Sequence, residues 1–418
     1  MTAFAFWKSN DPPSRMRAWW ARGAALAIAL FAQSLHGSED IGDAFELPEN
    51  VQVHGFLSQA YIKTSANNFF GNTSGGGSFD FREIGINGSW RALSDLQLSL
   101  QLVSRWAGET DDGDPRVDYG FLDYSIVSDA DNLWGLRLGR ILNPFGFYNE
   151  TRDVAFTRPS ILLPQSIYFD ANRNLALSGD GGQIYGERRS EYGDFFFQLV
   201  GGYPRVDDPD LEPAIFMQDV PGNLEGAPTV LGRILYERDG GALRLAVSGG
   251  NINANYEPDA LGDPLEDGNF NFRPVLLSAQ YNAERWSLTG EYAFRHTKLS
   301  DFGPAFPDVS FTGESYYVQG TYRFAPRFDA VLRYDVLIKN KDDRNGAQFE
   351  AVTGLPGFTQ FAKDLTVGVR WDATRSIMLR GEFHRVNGTG WLSTLENPNP
   401  NDLEQHWNLF SILASFRF

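Results

Sequence analysis

Most of the chain alternates apolar and polar side chains with a period of two. Leu96, Leu98, Leu100, Leu102 and Trp106 are interleaved with Gln97, Ser99, Gln101 and Arg105. Trp286, Leu288, Tyr292 and Phe294 alternate with Ser287, Thr289, Glu291 and Arg295, and Leu365, Val367, Val369 and Trp371 with Thr366, Gly368 and Arg370. Similar runs cover 315–324, 328–336 and 377–384. This is the period of a β-strand, whose successive side chains point to opposite faces. Runs of about ten residues are long enough to cross a bilayer when tilted. Trp106, Trp134, Trp286, Phe324 and Trp371 stand at the ends of apolar faces, where an interfacial girdle belongs.

The connections sort by length. Long ones fall near 64–78, 107–116, 143–178, 203–228, 251–272, 298–312, 339–360 and 387–404. Short ones fall near 91–95, 128–132, 190–193, 238–241, 282–285, 325–327 and 372–375. Tight turns on one rim and long loops on the other predict an all-β fold, a transmembrane antiparallel β-barrel of about 16 strands with periplasmic turns and extracellular loops. Closing the sheet removes the edges that lipid does not tolerate. The barrel is expected over 51–418 as one domain, after a periplasmic lead-in at 38–50. Phe410, Ile412, Ala414, Phe416 and Phe418 alternate to the last residue, which resembles the C-terminal signal of outer-membrane barrels.

Composition agrees. The mean hydropathy of −0.32 is too polar for a helical bundle, and no internal stretch supplies the ~20 apolar residues of a spanning helix. Aromatic residues make up 14% of the chain, and there are 43 glycines. The absence of cysteine excludes disulfides, thiolate metal sites and cysteine nucleophiles. A net charge of −17 argues against a nucleic-acid partner. Lys8, Arg15, Arg17 and Arg22 followed by the apolar run 23–32 predict a signal peptide over 1–37, cleaved within 34–38.

The segments GFLSQAYI (55–62), FDFREIGINGSW (79–90), VDYGFLDY (117–124) and LRLGRILNPFGFYNETRDVAFTRPSI (136–161) resemble Gram-negative porins. The likeness is to the phosphate-selective porin O/P-like group and its DcaP-like relatives, with NPFG…RD…RPS its most specific part. It implies a sixteen-stranded homotrimeric channel of the cell outer membrane, often anion-preferring. The acidity of this chain departs from a simple anion filter.

The third external loop, 143–178, is far longer than an ordinary connection and rich in packable residues, including Phe145, Tyr148, Ile161, Leu163 and Tyr168. It is expected to fold into the lumen. It carries Arg152, Arg158 and Arg173 with Glu150, Asp153 and Asp170, and Arg140 stands at its root. Parity points Arg105, Arg137, Arg233, Arg244, Arg295, Arg323, Arg333, Arg370 and Arg380 inward, with acids at Asp123, Glu291, Asp335 and Glu382. A ring of guanidiniums biases which ion enters a narrow aqueous path. The alternative for each is an ion pair that only stiffens the wall. The acidic outer loops (Asp111, Asp112, Asp207, Asp208, Asp263 and neighbours) read as solvated, with cation bridging to lipopolysaccharide as the other reading.

The mature chain holds four histidines, at 54, 296, 384 and 406, and neither G-x-S-x-G nor H-E-x-x-H, so no enzyme is expected. No cofactor or metal site is expected either. The function that follows is passive diffusion of small polar solutes, with an anion or carboxylate preference at an arginine-lined constriction. The competing reading is a plugged structural or adhesive barrel with no open channel.

Overall fold

The computed structural model describes residues 47–171, 173–216, 220–259 and 262–418. The expected signal peptide and most of the lead-in lie outside the described residues. Sixteen antiparallel strands form one closed barrel in simple up-and-down order. They are β1 (Val51–Thr64), β2 (Ser78–Arg91), β3 (Leu96–Ala107), β4 (Arg116–Ser128), β5 (Asn132–Leu142), β6 (Ser178–Arg188), β7 (Asp194–Pro204) and β8 (Asn223–Arg238), followed by β9 (Leu243–Glu257), β10 (Gly268–Asn282), β11 (Trp286–Ser300), β12 (Val309–Ala325), β13 (Phe328–Ile338), β14 (Phe361–Asp372), β15 (Ile377–Gly388) and β16 (His406–Arg417). The ends meet where β1 pairs with β16, from Phe56 opposite Arg417 to Thr64 opposite Leu409. Among the described residues no helix is long and apolar enough to cross a membrane.

The alternation has the expected physical meaning. Leu98, Leu100 and Leu102 on β3, Leu365, Val367 and Val369 on β14, and Phe410 and Ile412 on β16 are all exposed, although apolar. Their neighbours Gln101, Arg105, Thr366 and Ser411 are buried. A water-soluble sandwich would reverse this, since its apolar face is its core. An exposed apolar belt running round the barrel is a surface for acyl chains.

One stretch departs from the expected loops. The connection expected over 251–272 is mostly strand, because β9 runs to Glu257 and β10 begins at Gly268. There the parity signal is inverted. Ile252, Ala254, Tyr256, Phe270 and Phe272 point inward and pack with Leu211, Phe216, Leu224, Leu265, Leu299 and Phe302. Asn251, Asn253 and Asn271 take the outward positions and bond to one another. Above the bilayer the outside is wet and the inside is a loop core, so apolar residues turn inward. Asparagine is also depleted in strands, which hides the pattern. A second cluster brings Phe69, Phe70, Phe156, Ile161, Trp391 and Trp407 inside the arc from β13 round to β3.

The lipid-facing reading predicts an asymmetric response to charge. Val318 is exposed on the outward face of β12, and Thr321 has the opposite parity. Val318→Arg is expected to cost about 2–4 kcal/mol of folding free energy in lipid vesicles, and Thr321→Arg much less. Denaturant titration of vesicle-folded protein checks the difference, and equal costs would contradict the outward assignment.

Candidate functional site

The third loop leaves β5 at Asn143 and returns at β6, and its polar groups bond to inward positions around the wall. Gly146 makes the first turn at φ 63°, and a Cβ there would lie 2.2 Å from the Tyr168 hydroxyl, so only glycine fits. Its N–H donates to Ser248 Oγ on β9 (3.0 Å), and Arg233 on β8 donates to its carbonyl (2.7 Å) and pairs with Glu150. Glu291 on β11 accepts from the hydroxyls of Tyr168 (2.6 Å), Tyr317 (2.8 Å) and Ser278 (2.6 Å), and from the Phe147 N–H (3.1 Å). A buried carboxylate with four donors is satisfied.

The far end of the loop docks on β2 and β13–β15. Arg158 forms a bidentate pair with Glu83 (2.7 and 3.2 Å). Arg380 donates to the Arg158 carbonyl (2.8 Å), and Arg333 donates to Ser160 Oγ (2.7 Å) and the Leu162 carbonyl (3.0 Å). The amides of Ile161 and Leu162 donate to Glu382, and that of Ser166 to Asp335. His384 stands beside them, with Nδ1 2.8 Å from Asp364 and Nε2 3.5 Å from Glu382. Nearer the loop's root, Asp170 takes Arg105 (2.9 Å) and Arg152 (3.2 Å), and Arg173 pairs with Asp153.

The expected site residues therefore divide. Arg105, Arg152, Arg158, Arg173, Arg333 and Arg380 are drawn together at the loop, but all are buried. Arg105, Arg152, Arg158 and Arg173 are ion-paired there. Arg137 is inward on another part of the wall, held by Asp123 (2.8 Å) and Gln183 (2.9 Å). Arg295 is inward near Gly313. Arg140 is a correction. It pairs with Asp180 (2.7 Å), and an unbroken register puts both on the face of Leu138 and Ile184, the outward one. Arg140 lies three positions from inward Arg137, so the two cannot share a strand face. Glu83 was not among the expected site residues, although Ile84 and Ile86 beside it give its inward parity.

Of the expected inward arginines, Arg323 and Arg370 keep partly exposed side chains beside an open recess, which buried Arg158 and Arg380 also border. A cavity of about 350 Å³ is lined by Arg158, Arg285, Arg323, Arg370 and Arg380, against Glu284 and Asp329. The short turn 283–285 forms part of it, which places it on the turn side of the loop. Arg323 keeps a half-exposed side chain while touching Asp329 (3.1 Å), and Arg370 pairs with Asp372 (2.8 Å) and donates to the Phe156 carbonyl (3.1 Å). Five guanidiniums meet four carboxylates, the lining Glu284 and Asp329 and the partners Glu83 of Arg158 and Asp372 of Arg370, which leaves the recess with a small positive excess.

The outer loops are knitted together by buried carboxylates. Glu396 accepts from the amides of Phe70 (2.8 Å) and Gly71 (2.6 Å). Asp208 accepts from the Asn174 amide (2.7 Å), and Asp210 from the Thr394 hydroxyl (2.6 Å). These acids are bound into the structure, unlike the solvated loop acids expected. Burial pushes the carboxyls of both Glu396 and Asp208 up to about 7. Among the described residues no group of His, Asp or Glu is arranged to hold a metal ion.

No protein-family model matches the sequence, and no curated sequence is detectably similar to it. Solved structures are. The OmpT outer-membrane protein of Vibrio cholerae in its trimer form aligns over 88% of this chain and 99% of its own, at TM-score 0.54 and 13% identity. An anion-selective porin from Comamonas acidovorans aligns over 88% and 98%, at 0.54 and 13%. The outer-membrane channel DcaP of Acinetobacter baumannii aligns over 88% and 97%, at 0.54 and 12%. The shared feature is the fold, a closed sixteen-stranded antiparallel barrel of the kind these outer-membrane proteins have.

Two outcomes follow from the packing. Glu83→Ala would leave Arg158 and Arg105 without their shared acid, and is expected to cost about 3–5 kcal/mol and free the loop for proteolysis. Wild-type cleavage kinetics would contradict the docking. A carboxyl raised from 4.5 to about 7 on folding stabilises below pH 4.5, and that contribution fades as pH rises through 7. Amide exchange at Phe70 and Gly71, corrected for intrinsic rates, is therefore expected to be faster at pH 8 than at pH 5. Glu396→Gln is expected to abolish the difference.

Proposed function

We propose that this barrel lets small polar solutes diffuse across the outer membrane, with a preference for anions or carboxylates. The observation that carries the reading is the positive recess beneath the third loop, where Arg323 and Arg370 keep partly exposed side chains. In a narrow, low-dielectric path, such charges raise the local concentration of anions. The likeness to an anion-selective porin and to a DcaP channel supports the same direction, as does the porin O/P-like NPFG…RD…RPS segment. Export under the amino-terminal signal and assembly as a homotrimer, the form described for the Vibrio OmpT, complete the proposal.

One observation favours the other reading, a closed barrel. The third loop is bonded to the wall on several sides, and Glu396, Asp208 and Asp210 tie the outer loops together. Planar-bilayer recording separates the two. The channel reading expects conductance steps and, in a KCl gradient, a reversal potential on the anion side. Arg323→Gln with Arg370→Gln is expected to lower the anion-to-cation permeability ratio by a factor of roughly a few. These positions are chosen because Arg152 and Arg158 are buried in the docking contacts, where reversing their charge would disrupt the loop itself. A silent protein would favour the closed barrel, and an unchanged ratio would remove the recess from the path.

A further inference from the structure

Two opposite walls of the lumen differ in kind. On β4–β7 several inward positions carry rings that stay half-buried, Tyr119 and Phe121 on β4, Tyr185 on β6 and Phe196 on β7. Register gives their direction. Tyr119 stands opposite the inward Gln101, and Tyr185 opposite Gln198, which bonds to Glu150 of the third loop. The Arg137 guanidinium lies between two of the rings, 5.1 Å from the centre of Phe121 and 4.4 Å from that of Tyr185. Asp123 holds it there and also accepts from the Tyr185 hydroxyl (2.5 Å). Beside Phe121 the next inward positions in the same row are Gly139, Gly181 and Gly202, so no side chain rises from the wall. The wall eight strands away, β11–β14, presents Ser287, Gln319, Thr321, Arg323, Asp329 and Arg370 to the recess instead.

We propose that the solutes this lumen favours are small aromatic carboxylates, with the ring against Tyr119, Phe121 and Tyr185 and the carboxylate turned toward Arg323 and Arg370. The proposal rests on the channel reading and names its solute class. A ring placed only for packing is covered, as Tyr168 and Tyr317 are around Glu291. The rings of β4–β7 keep apolar surface open, and a flat apolar solute is what that surface can still bury. Stacking on Arg137 fixes Phe121 and Tyr185 in place, so their orientation is set before a solute arrives. The glycine row leaves space beside them. Across the lumen, Arg323 and Arg370 keep partly exposed side chains. A solute with one aromatic and one anionic end is served by both walls. An aliphatic acid uses only the arginine side, and an uncharged ring only the aromatic side.

The test uses the full-length protein in a planar bilayer in KCl at about pH 8, where carboxylic acids are ionised. It measures the concentrations at which benzoate and cyclohexanecarboxylate halve the conductance. The two anions share charge and nearly share size, and differ in the π face of the ring. Wild-type protein is expected to be half-blocked by benzoate at a concentration at least about threefold lower, since ring–ring contact adds to area burial alone. Tyr119→Leu with Phe121→Leu is expected to bring the two concentrations together, and Arg323→Gln to weaken both blocks alike. Equal block by the two anions in the wild type overturns the proposal without involving any variant. So does a benzoate preference that survives the leucine substitutions, which would place the ring elsewhere. An anion-preferring channel that ignores the ring would sink this inference and leave the channel reading intact, whereas a silent protein would sink both.

Discussion

A backbone amide in hydrocarbon has no water to bond to, and each orphaned group costs several kcal/mol. Everything else in this structure follows from that constraint. The sheet has to close, and the β1–β16 pairing closes it. Irregular backbone is tolerated only where protein or water surrounds it. The third loop meets this condition inside the barrel, because Ser248, Glu291, Asp335 and Glu382 accept its amides. The lumen's carboxylates therefore have two tasks, pairing with arginines and satisfying a loop that has no ladder of its own.

This double task changes the meaning of the arginine set. A guanidinium held by a buried acid stiffens the wall, and removing either partner is costly. Arg105, Arg152, Arg158 and Arg173 belong to that group. Arg323 and Arg370 keep partly exposed side chains beside the recess, and charge there can act on a passing solute. Charge is sorted by location as well as by sign. Arginines line the lumen, and the outer loops hold buried carboxylates whose ionisation is opposed by burial.

The strands within the belt were legible because lipid outside and polar lumen inside write a strict period of two, as in 96–106 and 365–371. The turn and loop positions followed from the same pattern. Beyond the belt the code fails for a physical reason. On β9 and β10 the apolar residues Ile252, Ala254 and Phe270 turn inward and asparagines face out, so a strand reads as a loop. The inward arginines followed from parity alone, but their partners did not. Glu83 and Arg158 are far apart in sequence and meet only because the loop crosses the lumen. Arg140 was assigned from its nearness to the loop, where counting from Arg137 would have turned it outward.

The central claim is that neighbouring residues on one strand face acyl chains and a polar interior in turn. The chain has no cysteine, so single cysteines can be introduced from 365 to 370 on β14 and labelled with an environment-sensitive fluorophore in vesicles. The account predicts quenching by a lipid-soluble quencher at Leu365, Val367 and Val369, and protection from it at Thr366, Gly368 and Arg370. Uniform quenching along the strand, or a pattern without a period of two, would contradict it.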